Sequence, residues 1–141
     1  MKGNNWLWSF LFLGGLLGGT SVLLSAWGAH GLEDLFVASP RDRFSFNYAT
    51  HFQLFHALFL ILLVLFMVSS GTRPVLLVVS AIFLVLGIFL FSFPIYFRII
   101  GGYSEFSGLT PIGGICFFLA WSLISVLSVF RIISTHKTGQ N

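Results

Sequence analysis

The chain has 141 residues, of which 57% are hydrophobic and only 8% charged, with a mean hydropathy of +0.98 and a formal net charge of +3. Soluble domains carry about 25% charged residues, so this chain has too little polar surface to face water on all sides, and lipid must be its main solvent. The basic residues are scattered singly, which excludes a nucleic-acid patch, and the single cysteine, Cys116, excludes an intramolecular disulfide and any zinc or iron–sulfur site built on Cys pairs.

Hydrophobic stretches of roughly 20 residues mark transmembrane helices. Four such stretches occur, at about 6–27, 47–69, 74–99 and 111–133. They predict one all-α domain over residues 1–141, an integral membrane four-helix bundle of up-down topology. The first run follows Lys2 but is longer than a signal-peptide core, and the residues before His30 make a poor cleavage site, so a retained span is expected. Trp6, Trp8 and Trp27 fall where an aromatic belt would place them. Gly14, Gly15, Gly18 and Gly19 form two overlapping GxxxG patterns on adjacent faces, which suit close helix contact within the chain, a homo-oligomer or a larger membrane complex. The longest loop is expected over residues 28–46. Ser70-Gly-Thr-Arg-Pro74 reads as a tight turn with Pro74 opening the next helix. Pro94 lies inside the third span and should kink it or unwind its last turn. Thr110, ahead of Pro111, reads as an N-cap of the fourth span.

Four spans place both termini on one side. That side carries Lys2, Arg73, Arg131 and Lys137 and no acidic residue. The other carries Arg41, Arg43 and Arg98 with Glu33, Asp34, Asp42 and Glu105. Only Lys and Arg count in the positive-inside rule, which gives N-in, C-in.

The polar residues of the spans gather toward the face away from the termini by helix order alone. His30 ends span one, Gln53 and His56 share one helical face early in span two, Ser92 and Tyr96 lie late in span three, and Thr110 opens span four. An ionisable group such as His56 in an apolar helix is a functional-site hypothesis by default. One reading makes His30, Gln53, His56, Ser92, Tyr96 and Thr110 a pocket for a hydrophobic ligand or cofactor: a quinone, a lipid, or a haem held between His30 and His56. The other makes His56 and Gln53 polar glue, hydrogen-bonded across helices. His51 points to a different face from His56 and reads as interfacial; His136 reads as solvated. No HExxH, nucleophile–base pattern or phosphate-cradling glycine loop is present, so no catalytic residue, metal site or resident cofactor is expected.

Gly28-Ala-His-Gly-Leu32, Gln53-x-x-His56, Leu90-Phe-Ser92 with Tyr96, and Thr110-Pro-Ile-Gly-Gly114, in this order, resemble the YgdD-like family of small four-span membrane proteins of unknown function. The resemblance covers nearly the whole chain and departs at Phe93 and Pro94, where the family usually has small residues. It implies the four-span topology, a bacterial inner (plasma) membrane location, and a set of characteristic positions that includes His30, Gln53, His56, Ser92, Tyr96, Thr110, Pro111, Gly113 and Gly114. It implies no activity. Three function classes follow: a non-enzymatic bundle or accessory subunit of a membrane assembly, a binding module for a hydrophobic ligand, and an oligomeric transporter or channel.

Overall fold

In the computed structural model, which describes residues 5–138 and side chains as far as residue 135, the chain is all-α with no strand among the described residues. Lys2 and the side chains of His136 and Lys137 lie outside that range. The helices are α1 (Asn5–His30), α2 (Glu33–Ala38), α3 (Pro40–Ser70), α4 (Val75–Gly101) and α5 (Thr110–Thr138), the last entered through a 3-10 turn at Ser107–Leu109. All except α2 are long and apolar enough to cross a membrane. They pack in chain order, α1 on α3, α3 on α4 and α4 on α5.

The longest predicted loop is largely helical. Pro40 sits at the start of α3, where its fixed φ and missing N–H are harmless, so the helix begins seven residues before the apolar run. At 31 residues α3 extends roughly 46 Å, well beyond the ~30 Å of hydrocarbon. The short helix α2 is held down by Phe36, whose ring lies 5.6 Å from that of buried Phe46, and Phe46 in turn lies 5.4 Å from Tyr96. The α3–α4 turn closes as expected: Gly71 adopts φ 65°, the left-handed conformation favoured at a helix C-terminus, and Pro74 precedes α4. Gly102 does the same for α4 at φ 72°, its N–H reaching the Arg98 carbonyl and the next N–H that of Phe97.

Pro94 does not unwind the end of α4, which runs unbroken to Gly101. Proline removes the N–H that would bond to the carbonyl four residues back, here that of Leu90. Leu90 lies where α5 crosses closely, because a Cβ on Gly113 would fall 2.7 Å from the Leu90 carbonyl carbon and 2.8 Å from Phe91 Cα. Thr110 is not an N-cap either. Its dihedrals are helical (φ −55°, ψ −45°), and its N–H donates to the Ser107 carbonyl of the preceding 3-10 turn.

Lipid tails are as apolar as leucine, so burying Leu60, Met67, Leu84 or Ile88 does not by itself drive these helices together. Close approach and buried hydrogen bonds must do so. Glycine supplies the first. Gly14 lies against Ile61 and the Ala57 carbonyl, Gly28 against the Phe46 ring, Gly87 against the Phe117 ring and Gly113 against the α4 backbone. Gly15, Gly19 and Gly114 have open space where a Cβ would go, so only one of the two GxxxG faces of α1 is used inside the chain.

Candidate functional site

Antiparallel contacts fix the register of α1 on α3: Gly28 opposite Phe46, Ser21 opposite Thr50, Leu17 and Thr20 opposite Gln53, Gly14 opposite Ala57 and Ile61. Gln53 is 1% exposed and sits at the centre of a buried network. Its Nε2 donates to the Leu17 carbonyl at 2.8 Å and to Thr20 Oγ1 at 3.0 Å. Its Oε1 accepts from the Tyr96 hydroxyl at 2.9 Å. Two further bonds flank it. Ser21 Oγ donates to the Thr50 carbonyl at 2.7 Å, and Ser92 Oγ donates to the Ala49 carbonyl at 2.8 Å. Each of these bonds has one end on α3.

His56 faces elsewhere. Its ring stacks on Phe117 of α5, with centroids 3.6 Å apart and planes 12° from parallel. Nδ1 lies 2.7 Å from the Phe52 carbonyl, which can only accept, so Nδ1 carries the proton. Nε2 is then the acceptor of a neutral ring, and Trp121 Nε1 donates to it at 3.4 Å. Both nitrogens are therefore engaged. Next to this contact, Phe59 and Trp121 stack at 4.0 Å.

The structure thus divides the six expected pocket residues into four groups. Gln53, Ser92 and Tyr96 come together as a packed network, with an apolar cleft of about 300 Å³ against the outer side of Tyr96. His56 leaves Gln53 and binds α5. His30 is exposed at the end of α1. Because Gly14 lies opposite Ala57, His56 is level with that part of α1, and His30 lies roughly 20 Å further along at ~1.5 Å per residue. The two histidines are therefore not brought together, and His56 sits halfway along α3 rather than in its first turns. The expected gathering of all six residues at one membrane face came from starting that helix too late.

Thr110 belongs to a different place. It lines a polar recess of about 600 Å³ at the end of the bundle away from the termini, with Arg41, Asp42, Arg98 and Ser107. There Arg98 Nη1 donates to Asp42 Oδ1 at 2.6 Å, joining the end of α4 to the first turn of α3. Asp42 is well placed at a helix N-terminus, where a carboxylate meets the positive end of the dipole. Ser107 Oγ is buried and has no partner among the described residues. His51 is exposed on α3.

Sequence reasoning missed Trp121 and the ion pair of Asp42 with Arg98. A tryptophan at mid-span, away from the aromatic belts, needs a partner for its N–H, and that signal was available. Asp42 and Arg98 fall on the same side in the threading, but a charged cluster in an expected loop reads as solvated surface.

Residues 24–114, which include both the Gly28-Ala-His-Gly-Leu32 and Thr110-Pro-Ile-Gly-Gly114 elements, match the family described as "Protein of unknown function (DUF423)". A "UPF0382 membrane protein" of Staphylococcus epidermidis is 32% identical over 120 residues, covering 85% of this chain and 94% of the relative. UPF0382 membrane protein SH2409 of Staphylococcus haemolyticus is 32% identical over 124 residues, 88% of this chain and 97% of the relative. UPF0382 membrane protein YwdK of Bacillus subtilis is 29% identical over 122 residues, 85% and 95% respectively. No solved structure matches the chain. With its four apolar helices and these full-length relatives, the chain is a small integral membrane protein and belongs to the DUF423 family, whose function is unknown.

Proposed function

We propose that this protein is a non-enzymatic bundle that serves as an accessory subunit of a larger membrane assembly, seated N-in, C-in in the bacterial inner membrane. The carrying observation is that Gln53 spends its polar atoms on neighbouring helices, while His56 spends Nδ1 on the Phe52 carbonyl of its own helix and Nε2 on Trp121 of α5. A catalytic or ligand-binding side chain keeps a donor or acceptor for its substrate, and these two keep little. Buried polar side chains in membrane bundles commonly act as interhelical glue. The finer likeness to YgdD-like proteins rests on the order of the glycine-containing elements and agrees with a structural role, since Gly28 and Gly113 are both contact points. The bacterial relatives, named as membrane proteins, support a bacterial membrane location.

The unused GxxxG face of α1, Gly15 and Gly19, supports the subunit reading, because glycine at that spacing admits a second helix closely. Tagged protein extracted from its own membrane in mild detergent is expected to retain a stoichiometric partner, and the double variant Gly15→Leu, Gly19→Leu is expected to lose it while keeping its melting temperature. Wild-type protein that elutes alone and monomeric would overturn the subunit reading.

A further inference from the structure

One cavity lies well away from the Gln53 network. It is a groove of about 650 Å³ between α3 and α5 at the end that carries the termini. On α3 it is lined by Phe59, Leu62 and Phe66, spaced along one helical face, and on α5 by Ile124, Leu127 and Arg131, spaced likewise. Leu77 of α4 contributes to its lining. Phe59, held by its stack on Trp121, stands at the inner end, and Thr72, Pro74 and Arg131 stand at the outer end. From Ile124 to Ile132 the groove follows α5 for about 12 Å. It is thus a slot with an apolar floor and one cationic mouth.

The charge of that mouth has no counterpart among the described residues. Arg131 is exposed, and Arg73 is exposed in the adjoining turn. The four acidic side chains, Glu33, Asp34, Asp42 and Glu105, all belong to the opposite end of the bundle, and Asp42 is bonded to Arg98 there. An occupant complementary to the groove therefore has an apolar tail some 12 Å long, attached to an anion that meets Arg131 at the membrane interface. A helix of a second copy offers no acidic side chain there, since all four lie at the opposite end.

We propose that this groove binds an anionic phospholipid, one acyl chain lying between α3 and α5 and the phosphate at Arg131 and the 72–74 turn. Basic pockets between transmembrane helices on the cytoplasmic side recognise anionic headgroups in this way. The proposal stands apart from the subunit reading, because the groove lies on α3 and α5 whereas the open glycine face is on α1.

The test uses the full-length protein in detergent, delipidated and then titrated with phosphatidylglycerol or with phosphatidylcholine of the same acyl chains, with bound lipid counted by native mass spectrometry. The wild type is expected to retain one phosphatidylglycerol about fivefold more tightly than phosphatidylcholine, the preference that one arginine near the surface supplies. Arg131→Gln, on an exposed site that leaves the fold intact, should abolish the preference. Leu127→Trp should fill the groove and weaken both lipids. Equal retention of the two lipids by the wild type, an unchanged preference in Arg131→Gln, or a dimer in place of the lipid adduct would each overturn the proposal. Displacement of the lipid by inorganic phosphate would also overturn it, by assigning the mouth to a free anion.

Discussion

Tyr96 on α4 donates its hydroxyl hydrogen to Gln53 Oε1 on α3 at 2.9 Å, and the same glutamine donates through Nε2 to Leu17 and Thr20 on α1. One side chain therefore bonds three helices whose apolar surfaces gain little from leaving lipid for each other. Interhelical hydrogen bonds in membranes are worth about 0.6 kcal/mol on average and up to about 1.7 kcal/mol. An orphaned buried partner adds a desolvation penalty of roughly 1–3 kcal/mol. A glutamine at this junction is thus worth more intact than the sum of its bonds suggests.

Tyr96→Phe is expected to destabilise the bundle by about 1 kcal/mol, since it removes one bond and leaves Gln53 Oε1 unpaired. Gln53→Leu should cost about 2 kcal/mol, because three bonds across helices go at once and the Tyr96 hydroxyl loses its acceptor. In the double variant neither orphan remains across the α3–α4 interface, so the combined loss should fall short of the sum by about 0.5–1.5 kcal/mol. Unfolding in mixed detergent micelles measures all three, and strictly additive losses would show that the two side chains are not coupled.

Much of this site was legible in the sequence, and the part that was not has a physical cause. Gln53, Ser92 and Tyr96 fall at one level because antiparallel threading brings the early part of one span beside the late part of the next. The level of His56 was misread because hydropathy marks where a helix enters hydrocarbon, not where it starts. Arg41, Asp42, Arg43 and Asn47 lower the local hydropathy, yet Pro40 begins the helix and Phe46 is fully buried beneath α2. Moving the helix start back by two turns carries His56 to the middle and away from His30. The glycine faces were also ambiguous in sequence. Gly14 and Gly15, or Gly113 and Gly114, are equivalent as letters, and only the direction of each Cα–Cβ bond distinguishes a contact from open space.

His56 provides a second test of the packing role. His56→Leu removes the stack on Phe117 and the acceptor of the Trp121 N–H, and should lower stability by about 1–2 kcal/mol. His56→Phe keeps a ring against Phe117 and should recover most of that loss. Trp121→Phe keeps the ring beside Phe59 and should have little effect, because a 3.4 Å bond is long and weak. Thermal melts in detergent give the order wild type, then Phe, then Leu at position 56. An unchanged melting temperature for His56→Leu would return this histidine to the list of functional candidates.

Adjacent glycines give the sharpest contrast. A Cβ on Gly113 would sit against the Phe91 backbone nitrogen and within 2.8 Å of its Cα, and backbone in a continuous helix cannot swing aside as a side chain can. Gly113→Ala must separate α4 from α5 and so also loosens the neighbouring seat of Phe117 against Gly87. Overpacking of this kind typically costs about 1–3 kcal/mol, and the lower figure requires a yielding neighbour that is absent here. Gly114 has nothing within 4 Å of its notional Cβ, so Gly114→Ala should be neutral or gain up to about 1 kcal/mol from the better helix former. The same contrast should hold more gently between Gly14→Ala and Gly15→Ala, because the atom nearest Gly14 is the movable Cγ1 of Ile61 at 2.8 Å. Melting temperatures of the four alanine variants rank the contacts directly. Equal effects at Gly113 and Gly114 would mean that α5 crosses α4 at a different register.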